Sequence, residues 1–108
     1  MARLRSDFWV QAYLRQRSIE MIPAVLRRRG AAEAGAIFVK VDRLDGTARL
    51  YAPAPPSLEG EPGERSFTLA LEGDVAAVES RIAREIGFDQ DLWLIEVDDR
   101  SGDPRLPG

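Results

Sequence analysis

The dipeptide Asp45-Gly46, set between "AIFVKVDRL" and "TARLYAP", constrains this chain more than any other feature. A type I′ turn needs positive φ at both central residues, a demand Asp-Gly meets with little strain, and alternating apolar residues on both flanks mark paired strands. A two-residue loop fixes the register. Leu44 then faces Thr47, Val41 faces Leu50 and Val39 faces Ala52 on the core side, while Asp42 faces Arg49 and Lys40 faces Tyr51 on the other.

The remaining elements must pack around that hairpin. Ser6 and Asp7 are placed to cap a helix whose apolar residues, among them Trp9, Val10 and Tyr13, form a broad face. Pro23 disfavours helical backbone at Ile22, so this helix ends within residues 18–21. "PAVLRRR" alternates as a strand, and "RSFTLAL" is another, with Phe67, Leu69 and Leu71 inward. Asp74 caps a second helix that carries Val75, Val78, Ile82 and Ile86 on one face and stops at Gly87. "DLWLIEV" is the last strand, with Trp93, Ile95 and Val97 on one side and Leu92, Leu94 and Glu96 on the other. The order helix, four strands, helix, strand predicts an α+β fold: a mostly antiparallel five-stranded sheet with both helices packed on one face. Residues 53–64, rich in Pro, Gly and Glu without periodicity, read as a flexible loop, and residues 99–108 as a frayed tail. At 108 residues the chain is one domain, 1–108.

Several function classes are excluded by what the chain lacks. It has no cysteine and no histidine, which removes disulfides, thiolate chemistry, zinc sites of the usual N/S kind and every imidazole relay. Carboxylates, one lysine, arginines and hydroxyls remain. No cofactor is expected. No apolar run approaches the roughly 20 residues that span a bilayer, so the expectation is a cytoplasmic protein that engages no membrane. An Arg-rich transit leader is the competing reading of "MARLRSDFWV", but Trp9 and Tyr13 resemble core more than leader.

Charge is unevenly divided. Residues 1–54 hold ten basic and five acidic groups and residues 55–108 five and thirteen, so the halves carry +5 and −8 and the chain −3. Mutual compensation on folding explains this more simply than a basic partner surface.

Arg27, Arg28 and Arg29 are the leading anion-binding candidates, because alternate strand positions would place the planar forks of Arg27 and Arg29 on one face. Arg15 and Arg17 would join the same field if the first helix packs nearby. A pI of about 5.0 and aromatics at core spacings argue against a nucleic-acid reader. Gly30 and Gly35 in "GAAEAG" are spaced like a phosphate loop but lack the following lysine and helix. Asp98 and Asp99, with Asp89, Asp91 and Glu96 before them, match no ordered calcium loop, so no metal site is expected; pairing with the arginines is the simpler role. Leu92 and Leu94 leave apolar surface on the sheet's uncovered side, and a second copy of the chain is the simplest cover. Trp9 and Trp93 are expected in the core.

Together "LRSDFWVQAYLR", "IPAVLRRRGAAEAGAIFVKVDRLDG" and "GFDQDLWLIEVDDR" resemble a short alphaproteobacterial family known as domain of unknown function 1491. The resemblance spans nearly the whole chain. It implies bacterial origin and a compact stand-alone domain, and it carries no activity, substrate or catalytic residue.

The residues favour a non-enzymatic protein that acts by association, as a homodimer or with another protein. An anion- or nucleic-acid-binding accessory protein using Arg27–Arg29 is the alternative. A catalyst ranks third and would need a carboxylate, with Glu33 between the two glycines as its candidate.

Overall fold

The computed structural model describes residues 4–55 and 65–107. Its elements are α1 (Ser6–Ile19), β1 (Ala24–Arg28), β2 (Ile37–Asp42), β3 (Thr47–Pro53), β4 (Phe67–Asp74), α2 (Val75–Phe88) and β5 (Trp93–Asp98). The α+β class, the element order and the mostly antiparallel sheet are as expected. Strand order is β1-β5-β2-β3-β4, with β2 and β5 the single parallel pair among the described residues.

The two helices do not share a face. Trp9, Val10 and Tyr13 of α1 pack on Ile37, Val39, Val41, Trp93, Ile95 and Val97. Val78 and Ile82 of α2 pack on Phe38, Ala48, Leu50, Leu92 and Leu94, the sheet's other side. The reason lies in β2 and β5, which are apolar at odd and even positions alike; strands buried on both faces read as continuous runs, and each face needs its own cover. The route of the chain provides it, because β4 and β5 point the same way and α2 must cross the sheet between them.

The hairpin forms one residue out of the expected register. Val39 pairs with Tyr51, Lys40 with Leu50, Val41 with Arg49 and Asp42 with Ala48. The Arg43 N–H donates to the Thr47 carbonyl at 3.0 Å, enclosing Leu44, Asp45 and Gly46 in a three-residue loop. Leu44 and Gly46, at φ 62° and 89°, adopt left-handed backbone. The Asp42 carboxylate accepts from the Leu44 N–H at 2.8 Å, and that of Asp45 accepts from the Thr47 N–H at 2.9 Å. These bonds of the aspartates to nearby backbone favour the wider turn. A one-residue slip changes every cross-strand pairing, so Lys40 sits across from Leu50 under α2.

Bulges alter two further expectations. Leu50 pairs with Leu71 but Tyr51 with Leu69, so Ala70 is an extra residue in β4. Phe67 therefore meets Trp9 on the α1 side while Leu71 packs beneath α2, and Leu69 is exposed. In β1, Leu26 pairs with Ile95 and Arg28 with Leu94, which leaves Arg27 as the extra residue.

The C-terminal segment is docked, against the expectation of a frayed tail. The Tyr13 hydroxyl donates to the Pro104 carbonyl, Arg17 donates to the Arg105 carbonyl at 2.5 Å, and Leu106 packs on the α1 core. Of the expected loop 53–64, Pro53 ends β3 and the Ala54 N–H donates to Ser66; residues 56–64 lie outside the described residues.

Candidate functional site

The three consecutive arginines are sent to three different places. Arg27, at the bulge, donates to both Glu79 carboxylate oxygens at 2.7 and 2.9 Å and to Glu96 at 3.0 Å. Arg28 donates to the Gln90 carbonyl at 2.7 Å. Arg29 turns to the opposite face, its guanidinium 5.2 Å from the centre of the Trp93 ring. The bulge shifts the alternation, so Arg27 and Arg29 do not make the expected pair of forks. Arg15 is exposed on α1, and Arg17 is buried against Glu20 and the C-terminal segment. With α1 and α2 on opposite faces, Arg17 and Arg27 share no field.

A cluster beneath α2 collects charges from four elements. Lys40 of β2, 4% exposed, donates to Glu79 at 2.6 Å and lies 3.3 Å from Glu96. Arg27 joins the same two carboxylates, giving two cations and two anions in mutual contact. The Arg27 hydrogen bond, aided by Lys40, overcomes burial and holds the Glu79 carboxyl at about 2. Burial works to lower the Lys40 pKa, but Glu79 and Glu96 outweigh it and leave it raised. The link of Arg27 to Glu96 realises part of the expected pairing between arginines and C-terminal acids. Lys40 and Glu79 were not anticipated: the single lysine inside "IFVKV" is a visible signal, whereas nothing near Glu79 in sequence shows that α2 crosses above it.

Beyond this cluster Asp42 and Asp98 end the parallel strands β2 and β5 side by side. Carboxylate oxygens of Asp42, Glu96 and Asp98 lie within 4.8 Å of one another. Burial, Asp42 and Glu96 together raise the Asp98 pKa against the opposing effect of Lys40. Glu96 is already held by Lys40 and Arg27, so the arrangement stores repulsion between carboxylates at one end of an otherwise balanced cluster.

The "GAAEAG" connector has a structural task. Its carbonyls at Glu33 and Ala32 accept the Ser6 and Asp7 N–H groups at 3.1 and 3.0 Å, and Ser6 Oγ donates to the Gly35 carbonyl at 2.7 Å. Backbone from elsewhere in the chain thus satisfies the start of α1, and the expected side-chain cap from Ser6 or Asp7 is absent, with Arg5 at the capping position. On its other side the Ala31 N–H donates to the Asp91 carbonyl and the Ala31 carbonyl accepts the Trp93 indole N–H at 2.8 Å. A Cβ on Gly30 would overlap the Asp91 carbonyl and come within 2.6 Å of Trp93 Cδ1, which explains the glycine. Glu33 points its side chain to solvent, 81% exposed and 3.7 Å from Arg5.

Leu92 and Leu94, expected at an interface, are 1% and 2% exposed under α2. Their cover is the chain's own helix, and they are not available to a second copy. Trp9 and Trp93 are in the core, at 8% and 1%.

Of the large apolar side chains exposed among the described residues, four lie on β1 or in the segment that leads into it from the end of α1, while Leu4, Phe8, Leu44, Leu69 and Phe88 lie elsewhere. Ile19, Met21, Val25 and Leu26 are 65%, 89%, 58% and 38% exposed. Pro23 accepts the Asp98 N–H, so the antiparallel alternation directs the N–H and C=O of Ala24 and Leu26 away from β5. Just before the strand, the Met21 N–H donates to the Ser18 carbonyl and the Ile22 N–H to that of Arg17, a Schellman ending for α1. Met21, at φ 60°, occupies the left-handed position that glycine ordinarily takes there.

A family model described as "Protein of unknown function (DUF1491)" matches residues 4–107. The chain belongs to the DUF1491 family. A crystal structure of a DUF1491 protein from Caulobacter crescentus CB15 is 33% identical with a TM-score of 0.79, over 95% of this chain and 92% of that one. An NMR structure of a DUF1491 protein from the same organism gives 33% and 0.77, over 96% and 93%. A solution structure of an A. tumefaciens protein is 36% identical with a TM-score of 0.77, over 89% and 86%. No curated protein matches the chain. The resemblance carried by the three sequence stretches therefore holds, in a family represented by alphaproteobacterial structures. No helix among the described residues is long and apolar enough to cross a membrane.

Proposed function

We propose that this DUF1491 protein is a non-enzymatic cytoplasmic module that works by association, adding a second copy along the open edge of β1. The observation that carries the reading is that Val25 and Leu26 of the edge strand β1, and Ile19 and Met21 just before it in the chain, are exposed while both sheet faces are covered by the chain's own helices. Strand addition supplies main-chain hydrogen bonds, and the apolar side chains beside the strand supply burial. Edge strands are ordinarily blunted by charge; here Arg27 and Arg28 are engaged by Glu79, Glu96 and the Gln90 carbonyl, and Val25 and Leu26 beside them are exposed. Met21 strengthens the argument. A bulky residue in left-handed backbone costs roughly 1 kcal/mol, and its side chain gains almost no burial within one copy, so a second copy gives the methionine a use.

Sedimentation velocity tests this. The wild type is expected to dimerise in a salt-resistant manner, and Val25→Lys to sediment as a monomer with its unfolding midpoint preserved. A wild type that remains monomeric at every soluble concentration refutes the proposal. The anion- or nucleic-acid-binding alternative has less support, because Arg27, Arg28 and Arg29 are each engaged within the chain. Comigration of a monomer with a short DNA duplex at low salt would favour it instead.

A further inference from the structure

The main chain of β1 presents its open groups in a pattern that matches itself. Ala24 and Leu26 turn their N–H and C=O outward, while Val25 between them turns its own toward Glu96 of β5. Pro23 has no N–H, and its carbonyl is taken by Asp98. The Ile22 N–H is spent on the Arg17 carbonyl, and the bulge at Arg27 breaks the alternation on the other side. The regular open stretch is therefore Ala24–Leu26, with outward groups at both ends and an inward residue in the middle.

We infer, resting on the β1-edge reading, that the segment which occupies this edge is β1 of the second copy, antiparallel about a two-fold axis at Val25. In that register Ala24 of each copy lies opposite Leu26 of the other, and each such pair exchanges both of its main-chain hydrogen bonds. Neighbouring registers lose them. Centring on Ala24 sets Leu26 against Ile22, whose N–H is already given to Arg17. Centring on Leu26 sets Ala24 against Arg28, beyond the bulge.

The side chains agree with the Val25 register. Ala24 and Leu26 pair with Val97 and Ile95 on the α1 side of the sheet, so across the axis a small residue meets a large one. Val25 pairs with Glu96 on the other side, is 58% exposed, and meets Val25 of the second copy. The competing occupant is β4, the sheet's other edge. Its bulge, at Ala70, falls in the middle of the strand and interrupts any long pairing. A β1-to-β4 contact would also leave one edge free at each end and build an open chain of molecules, whereas β1 on β1 closes as a dimer.

The chain has no cysteine, so single introduced thiols report the pairing. A residue on the axis, between two hydrogen-bonded pairs, lies about 4.5 Å from its mate by Cα, within disulfide reach. The two copies of Leu26 are offset by two residues along the strands and lie roughly 8 Å apart, beyond the limit of about 7 Å for a disulfide. Val25→Cys is expected to convert to a disulfide-linked dimer under mild oxidation, and to lose most of that product when excess wild-type chain is mixed in under reducing conditions first. Leu26→Cys and Leu69→Cys, exposed on β1 and β4, are expected to stay uncrosslinked. A wild type that dimerises in sedimentation velocity while Val25→Cys fails to crosslink overturns this register and leaves the edge reading standing. Equal crosslinking of Leu26→Cys and Val25→Cys does the same. A disulfide between Val25→Cys and Leu69→Cys chains in a mixture assigns the edge to β4 and overturns it as well. A wild type that never dimerises removes both the register and the edge reading.

Discussion

Replacing Glu79 with glutamine removes one charge from the centre of the cluster while keeping the length of the side chain. Arg27 and Lys40 hold the Glu79 carboxyl at about 2, against an ordinary value of 4.5. At about 1.4 kcal/mol per pH unit, that depression corresponds to a ceiling of about 3.4 kcal/mol in folding stability. The Glu79 side chain is 35% exposed, and water screens such pairs strongly, so the expected loss in Glu79→Gln at neutral pH is about 1.5 kcal/mol. Because the folded pKa lies below the unfolded one, the stabilisation is complete above about pH 4.5 and is lost as the pH falls toward about 2. The gap between wild type and variant should therefore be widest near neutrality and shrink markedly by about pH 3. Urea denaturation followed by tryptophan fluorescence measures it, since Trp9 and Trp93 are both buried, and urea, unlike guanidinium chloride, does not screen ion pairs. A gap that persists unchanged in acid would show that the loss comes from packing. A variant as stable as wild type at neutral pH would mean that desolvation cancels the attraction.

Gly30→Ala forces a methyl group into the backbone at Asp91 and should cost at least about 2 kcal/mol, read as a lowered thermal midpoint; an unchanged midpoint would refute the close approach. Leu94→Ala should destabilise by about 2–5 kcal/mol without changing the sedimentation coefficient of the folded protein, whereas a selective loss of dimer would return Leu94 to an interface. Asp98→Asn relieves a carboxyl whose folded pKa is raised by burial, Asp42 and Glu96. A raised folded pKa means that the charged form disfavours folding, so this variant should unfold at a higher temperature than wild type near neutral pH. The advantage should fade on acidification through the carboxylate range; an advantage that stays constant with pH would point away from charge.

Local patterns in the chain were sufficient for the elements, their order and the two sides of β5. Which helix covers which side was not local. Leu92 and Leu94 correctly signalled a second apolar face in need of a cover, yet a two-layer expectation assigned that cover to another molecule. The same run, apolar at successive positions, is the mark of a strand buried on both faces, and it points to a central place in the sheet. The hairpin register missed by one residue because Asp42 and Asp45 bond nearby backbone and widen the turn. The arginines were legible as charges, but their directions depend on a bulge at Arg27, and their partners on α2 crossing from the far edge of the sheet. Lys40 illustrates the limit: a lysine in an apolar strand announces a buried partner without revealing where in the chain that partner lies.

The position of β5 also bears on how the chain folds as it leaves the ribosome. Among the described residues β1 pairs with β5 alone, and β5 follows the other four strands in the chain. Until β5 has emerged, β2, β3 and β4 can pair, but β1 lacks its neighbour and α1 lacks Trp93, Ile95 and Val97 to pack upon. Closure awaits insertion of a C-terminal strand between two segments made much earlier, a non-local step that slows folding and prolongs exposure of apolar surface. In that interval Trp9, Val10 and Tyr13 of the nascent α1 lack the β5 side chains that cover them in the finished fold.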